Sequence, residues 1–491
     1  MSACRFGTPL PAIWKMEKTV SSNRLYRTLM AMEKSLHRNL VLFLQSPLYV
    51  NGRQPLLLCE GMLAYVTTGA SGFSKEKIWK KVAGNTAYND VLFRKYCSGT
   101  LKLVHLFLAQ ESLAASKINT DFETLDFAIE HKIEPVMQSA AESIREELNR
   151  GFKSVKYYYD SYRFEKQYYT MMDFGVKVDQ KANLTEISTS LDVFYWIEKL
   201  KLASAAISQK KTLNYSYDTG DIEAVLAQIR RFPLEHHPAL ALEYYAFLTV
   251  YDEDEADNYH KLKQGLEQFA DLLPRKDALD LIDAALHFCT GRINKGNQDF
   301  IREYFELFEN GLKKGIFLIK GELAVWRFNN IVAAALRLGK ADWAEDFIES
   351  NYPVLPEDSR ENTRTFNLAR VYRYQKRYGK VLELLRNVEY ADIGYNLISK
   401  AVLLITYYEL NERETLASFT VSFRTFLNRQ RDIPVQRREG YLNLVRFTRK
   451  LMKLERKDVK SADKLRDEII QNRSNTVNHD WLLEKLNEKA R

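Results

Sequence analysis

Evenly spaced polar turns between pairs of amphipathic helices constrain this chain more than any other feature of its sequence. Apolar residues recur every three or four positions on both sides of turns at Leu338, Gln375 and Leu410, which is the period of an α-helix. These turns are separated by 37 and 35 residues. A period in the middle thirties with two helices per unit is typical of an α-solenoid of antiparallel helix pairs. The sequence therefore predicts an all-α fold built as such an array, preceded by an N-terminal helical domain.

The composition agrees with a helical chain. The 491 residues include 20 glycines and 11 prolines. These are about 4% and 2% of the chain, against usual levels of about 7% and 5%. So few turn-forming residues favour helices joined by tight connections and argue against an all-β sandwich or propeller. Hydrophobic residues make up 46% and charged residues 28%, which excludes collagen-like and disordered chains.

The cysteines and the apolar runs predict a cytoplasmic protein with no membrane contact. Cys4, Cys59, Cys97 and Cys289 form no CxxC pair, so no structural metal is indicated and a reducing compartment is favoured. Residues 1–15 lack the apolar core of a secretory signal, and we expect them to form a short disordered leader. The longest apolar run is residues 331–336, whereas a membrane span needs roughly twenty residues.

Four segments are predicted after the leader. They are an N-terminal helical domain over residues 16–115, a Tyr-rich helical segment over 116–235, helical repeats over 236–428 and a basic helical cap over 429–491. In the first, one helix is expected over residues 25–44, Ser74 is expected to cap a second helix, and either Asn89 or Asp90 is expected to cap a third. The Tyr-rich stretch 157–169 is expected to bury much of its ring area, and a turn is expected over residues 291–296.

One helix pair resembles a known repeat. Residues 338–344 (LGKADWA), followed by Pro356, resemble the second half of a tetratricopeptide repeat, in which a Leu-Gly turn links two helices and a small residue lets them approach. In the next two pairs Val381 and Leu416 occupy the small-residue position, and the glycine of the turn is missing. The resemblance implies degenerate tetratricopeptide-like repeats. Arrays of this kind commonly receive a peptide or helix on their concave surface.

The leading interpretation is a non-enzymatic scaffold or adaptor that binds a protein or peptide partner on that concave face. No nucleophile–base spacing, metal-ligand spacing or phosphate-binding loop is present in the sequence, so no enzyme activity, cofactor or metal is expected. The oligomeric state stays open. The candidate partner-binding residues lie on the first helices of the repeats: Asn329, Arg337, Arg370, Arg373 and Asn396.

The distribution of charge supports an alternative function, a nucleic-acid-associated regulator. The chain has 72 Lys and Arg against 64 Asp and Glu, a net charge of +8. Residues 424–460 contain twelve bases and four acids, so this segment alone accounts for the excess. Such a segment can attract nucleic acid or an acidic partner, although it has few aromatic residues for base stacking. The possible nucleic-acid contacts here are Arg437, Arg438, Arg446, Arg449, Lys450 and Lys453.

A second possible nucleic-acid site lies near the N-terminus. Residues 74–103 resemble the two helices of a winged helix-turn-helix, as in bacterial regulators that join this domain to tetratricopeptide-like repeats. The resemblance implies that the second helix enters the major groove and offers Arg94, Lys95 and Lys102. The sequence departs from that family after Leu103, where a helical pattern continues in place of the wing hairpin.

A broader resemblance covers most of the chain. Residues 43–51, 88–90, 191–200 and 481–485 resemble a group of uncharacterised helical proteins of Bacteroidota. That group has no assigned activity, so the resemblance implies a helical fold and adds nothing about function.

Overall fold

The computed structural model of this chain describes residues 23–68, 74–172, 182–213, 215–385, 393–430, 433–455 and 458–490. These residues form 23 α-helices and one short two-stranded antiparallel sheet, so the all-α fold class predicted from the sequence is confirmed. They divide into two compact units, residues 1–240 and 241–491. The predicted leader, residues 1–15, lies outside the described residues. No helix within the described ranges is long and apolar enough to cross a membrane.

The first unit is a series of helices, and two apolar cores can be described among its first eight helices. The first core lies among α1–α5 and includes Leu29, Leu58 and Phe93. The second lies among α6–α8 and includes Phe122 and Phe164. The helices are α1 Arg24–Ala31, α2 Lys34–Gln45, α3 Gln54–Thr68, α4 Lys75–Ala83, α5 Asp90–Ala114, α6 Lys117–His131, α7 Glu134–Arg150, α8 Val155–Met172, α9 Leu184–Leu213 and α10 Ile222–Ile229.

The start of this unit differs from the prediction of one helix over residues 25–44, which is wrong. The helix ends after Ala31 and a second one begins at Lys34. The ring Nε2 of buried His37 lies 2.9 Å from the carbonyl oxygen of Leu29. The N–H of Met32 also donates to this carbonyl, at 3.3 Å, so the Leu29 oxygen stays hydrogen-bonded where the first helix ends.

The predicted N-caps are confirmed. The Ser74 hydroxyl accepts a hydrogen bond from the N–H of Lys77 at 3.3 Å, and the Asn89 side chain accepts one from the N–H of Leu92 at 3.0 Å. Both bonds reach the third residue of the helix, as an N-cap does.

The Tyr-rich helix α8 buries much of its ring area but leaves two rings exposed. Tyr158 and Phe164 are buried, but Tyr159 and Tyr169 are exposed. The buried stripe of α8 also carries polar side chains, including Ser161. The helical period thus predicts the element correctly, and the burial of much of the ring area is confirmed, since five of the seven rings are buried or half-buried.

The second unit continues as helix pairs. From α12 to α23 each helix packs on the next, and α15, α17, α19, α21 and α23 also pack one against another in that order. The solenoid arrangement stays a prediction. The elements are α11 Pro238–Tyr251, which begins at the boundary, α12 Ala256–Phe269, α13 Arg275–Asn294, α14 Phe300–Lys313, β1 Leu318–Ile319, β2 Glu322–Leu323, α15 Val325–Arg337, α16 Ala341–Asn351, α17 Arg360–Tyr374, α18 Tyr378–Leu385, α19 Ile393–Glu409, α20 Arg413–Arg429, α21 Val435–Lys453, α22 Val459–Gln471 and α23 His479–Ala490.

The turns within the helix pairs share one backbone geometry. Gly339, Lys376 and Asn411 have φ angles of 74°, 60° and 56°, in the left-handed region. In each turn this residue donates its N–H to the carbonyl three residues back, and the next residue donates to the carbonyl five residues back. This is the Schellman ending of a helix. The second and third pairs therefore keep the turn although they lack the glycine.

The turn between α13 and α14 has the same geometry around Gly296, whose φ is 99°. The turn predicted over residues 291–296 therefore begins too early, because α13 continues through Asn294 and includes Gly291.

Polar side chains connect three of these turns, at Gly296, Gly339 and Lys376, to the preceding helix pair. In each case a donor beside the turn reaches an acceptor in or after the turn of the preceding pair. The pairs are Lys295 Nζ to Asp254 Oδ1 at 2.9 Å, Arg337 Nη2 to Gln298 Oε1 at 2.8 Å and Arg377 Nη1 to Glu345 Oε2 at 3.2 Å.

Candidate functional site

A polar cluster joins three of the first helices in the second unit. The amide of Asn367 on α17 donates to the side-chain oxygen of Asn329 on α15 at 2.6 Å. The Asn329 amide in turn donates to the hydroxyl of Tyr395 on α19 at 2.5 Å. Arg370 Nη1 donates to the Asn329 carbonyl at 3.3 Å and to Asn367 Oδ1 at 3.1 Å. Asn367 is fully buried, so these bonds fix Arg370 against a rigid base.

Two arginines of this cluster lack a carboxylate partner. Arg370 and Arg373 lie one turn apart on α17, both half-buried, and neither forms an ion pair with any residue that the structure describes. Burial, with the charge of Arg373, lowers the pKa of Arg370 to about 10. Burial likewise lowers the pKa of Arg373, and the charges of Tyr378 and Glu409 oppose that shift. Glu409 is itself paired with Lys485 at 3.1 Å.

The structure places the other two candidates of this face differently. Arg337 is exposed at the end of α15 and bonds to Gln298 across the joint between helix pairs. Asn396 is half-buried on α19, next to Tyr395. Asn329 and Arg370 are therefore bonded directly, and Arg373 lies one turn further along α17. We name the surface formed by Asn329, Asn367, Arg370, Arg373 and Tyr395 the arginine face.

Asn367 and Tyr395 are members of this face that the sequence did not single out. Asn367 occupies a position where an apolar residue would continue the buried stripe of α17, between Phe366 and Leu368. A lone asparagine on a helix face that otherwise belongs to the core is the signal that could have identified it.

Four of the predicted nucleic-acid contacts lie together in a second place. Arg446, Arg449, Lys450 and Lys453 of α21 line a cleft of about 440 Å³ with Arg424 of α20. We name this the basic cleft. Its other lining residues are Asn428, Leu442, Asn443 and Val445.

Arg437 and Arg438 do not line the basic cleft. Both are half-buried near the start of α21. Arg438 Nη2 donates to the carbonyls of Gln430 at 2.9 Å and Ile433 at 3.1 Å, which holds the chain between α20 and α21. Burial raises the pKa of Tyr441, and hydrogen bonding to Arg437 opposes that rise.

The remaining predicted contacts, Arg94, Lys95 and Lys102, are exposed on α5. Arg94 forms an ion pair with Asp90 on the same helix. The helix continues to Ala114 and α6 follows it, so the described residues 74–172 contain no wing hairpin. This departs from the winged helix-turn-helix that residues 74–103 resemble.

Neither a search for metal-binding side chains nor a comparison with known proteins indicates a further chemical function. Across the described ranges no group of three or more His, Cys, Asp or Glu side chains could hold a metal ion. Comparison of the chain with protein-family models, curated proteins and solved structures found no match. The resemblances to tetratricopeptide repeats and to Bacteroidota proteins therefore stay predictions.

Proposed function

We propose that this chain is a non-enzymatic adaptor that binds an acidic segment of a partner protein on its arginine face. The observation that carries the proposal is the pair Arg370 and Arg373, two half-buried guanidinium groups without a described carboxylate partner. We propose the cytoplasm as its location, where the buried thiols of Cys59, Cys97 and Cys289 would stay reduced.

The electrostatics of this face favour an anionic ligand. Taking a cation partly out of water is costly unless an opposite charge or hydrogen bonds compensate it. Arg370 gains two bonds through Nη1, to the carbonyl of Asn329 and the side chain of Asn367, and neither acceptor carries a formal charge. A carboxylate that reaches the remaining donors would form charge-assisted hydrogen bonds, each contributing about 1.5–3 kcal/mol.

The arrangement of the helices suits an extended ligand. Arg370 and Arg373 lie on α17, the middle of three adjacent first helices, with α15 and α19 on either side. In arrays of helix pairs such a layer commonly forms the surface that receives a partner peptide. Successive acidic side chains of one segment could therefore meet the two arginines in turn.

A peptide-display selection tests this proposal. The purified full chain is panned against random twelve-residue peptides, and selected peptides are resynthesised for affinity measurement. We expect enrichment of Asp and Glu, and a loss of affinity of about 10-fold or more in Arg370→Met and Arg373→Met, because each substitution removes a charge-assisted bond.

The controls separate binding from folding. Arg302→Met changes an exposed arginine on α14 and should leave the affinity unchanged. Arg373 makes no hydrogen bond to a described residue, so Arg373→Met should not alter the melting temperature, whereas Arg370→Met removes two bonds. Peptides without acidic enrichment, or equal affinity in all three variants, would refute the proposal.

A further inference from the structure

We propose that the basic cleft between α20 and α21 binds a ligand that carries two or more neighbouring phosphate groups. This site and its ligand are separate from the arginine face. The ligand chemistry is shared by nucleoside triphosphates and by the backbone of single-stranded nucleic acid, and the experiment below distinguishes these two sources.

The first argument is the arrangement of the positive charges. Arg446, Arg449, Lys450 and Lys453 follow the spacing i, i+3, i+4 and i+7, so they form one stripe along α21. At 1.5 Å per residue this stripe is about 10 Å long, which is enough for several anionic groups in a row. Arg424 of α20 faces the same cleft, so the charges come from two helices.

The second argument is that these charges are largely unneutralised. Lys450 forms an ion pair with Glu468 of α22, and hydrogen bonding from Lys450, with the charge of Arg446, holds the pKa of that carboxyl below its usual value. Arg424, Arg446, Arg449 and Lys453 form no ion pair with any residue that the structure describes. Like charges at this helical spacing repel each other by a few tenths of a kcal/mol per pair. A polyanion would remove that repulsion.

The third argument is the rigidity and shape of the site. The opposite side of α21 is fixed in the core by Leu444, Phe447 and Leu451, all fully buried, so the helix that carries the stripe is already in place and only the exposed side chains need ordering when a ligand binds. The cleft, at about 440 Å³, falls in the size range of small-molecule sites.

The residue types in the cleft indicate phosphate as the recognised group. Arginine forms bidentate bonds with phosphate oxygens, and three of the five bases are arginines. Leu442 and Val445 are the apolar lining residues, and no aromatic side chain lines the cleft, so recognition by base stacking is poorly supplied. The ligand is therefore held through its phosphates rather than through its bases.

Fluorescence anisotropy with the full chain tests the inference. The probes are a labelled twelve-nucleotide single-stranded RNA of mixed sequence and a labelled ATP, and inorganic tripolyphosphate is the competitor. At low salt, about 50 mM, we expect binding of at least one probe and its displacement by tripolyphosphate. Arg446→Gln/Arg449→Gln should weaken binding about 10-fold or more. With the RNA, loss of two phosphate contacts should also reduce the slope of log affinity against log salt by about 1.4.

A matched control removes the same charge elsewhere in the second unit. Lys276→Gln/Arg302→Gln changes two exposed residues outside the cleft, and its affinity should stay within about twofold of the unmodified chain, since salt screens the attraction of charges that lie more than a Debye length from the ligand. Circular dichroism checks that both double variants fold.

The outcomes assign the source or overturn the inference. Binding of ATP alone identifies a free nucleotide as the ligand, and binding of RNA alone identifies the nucleic-acid backbone. The inference fails if neither probe binds, if both double variants lose affinity equally, or if sulfate displaces the probe as well as tripolyphosphate does. None of these results bears on acidic-peptide binding at the arginine face, because Arg370 and Arg373 are unchanged in these variants.

Discussion

Replacing Lys376 by glycine should stabilise the second unit, although it inserts the most flexible residue into a chain of helices. Lys376 is exposed and holds a φ of 60° in the turn between α17 and α18. A residue with a Cβ atom loses roughly 1–2 kcal/mol in the left-handed conformation. Glycine avoids that strain, but its larger freedom in the unfolded chain offsets about 0.5–1 kcal/mol. The net gain is about 0.5–1 kcal/mol.

Thermal unfolding followed by circular dichroism measures the effect. For a unit of this size, 1 kcal/mol corresponds to about 2–4 °C in melting temperature, so Lys376→Gly should raise Tm by about 1–4 °C. Lys376→Ala keeps the Cβ atom and should leave Tm nearly unchanged. Asn411→Gly should gain less than Lys376→Gly, because asparagine tolerates the left-handed region better than lysine does.

A glycine placed in an ordinary helical position provides the opposite control. Lys464→Gly lies in the interior of α22, where glycine costs about 1 kcal/mol, so its Tm should fall. If Lys376→Gly lowers Tm as much as Lys464→Gly does, residue 376 does not hold a left-handed turn, and the equivalence of the turns at Gly339, Lys376 and Asn411 is lost.

Three further predictions concern stability and reactivity. Burial opposes ionisation of Glu303, but hydrogen bonds from Lys263 and Tyr259 hold its pKa below the usual value. The contribution of ionised Glu303 to the free energy of unfolding is thus present at neutral pH and lost as the pH falls through its folded-state pKa. Glu303→Gln should therefore lower the urea midpoint near pH 7 and change it little near pH 3. Gly311→Ala should cost about 1–3 kcal/mol in chemical denaturation, because the added Cβ overlaps the buried ring of Phe317. Burial raises the pKa of Cys59 to about 12, so a thiol reagent should label it only after denaturant is added; rapid labelling of the native chain would contradict this burial.

The sequence predicts most of the helix pairs of the second unit because their signals are local. The spacing of apolar residues defines the helices, and the polar residues that follow Gln375 and Leu410 mark where two of them end. The sequence does not show that Lys376 and Asn411 take the conformation of Gly339, since hydrogen bonds to the preceding helix impose it. It also misses the break between α1 and α2, where the Leu29 carbonyl contacts both the N–H of Met32 and the ring of His37.

The candidate surfaces show the same division between local and distant information. The stripe Arg446 to Lys453 lies on one helix, so its spacing and charge are visible in the sequence, although the cleft also needs Arg424 from α20. The arginine face depends on three helices, with Asn329 and Tyr395 separated by 66 residues. The helical period places Arg370 on the first helix of a repeat. The contact between Arg370 and the buried Asn367 is seen only in the three-dimensional structure.

The hydrogen bonds between neighbouring helix pairs, here called joints, resemble one another, and this similarity suggests how the length of such a chain can change. Each joint pairs a donor beside the left-handed residue Gly296, Gly339 or Lys376 with an acceptor in or after the turn of the preceding helix pair. Deletion or duplication of the segment between Gly296 and Gly339 would keep two joints intact. Lys295 could still bond to Asp254, and Arg377 could still bond to Glu345. A deletion that removes the donor of one joint but keeps its acceptor would break that hydrogen bond. Gain or loss of whole helix pairs is thus the change in length that preserves these bonds, whereas recombination within a helix would disrupt them.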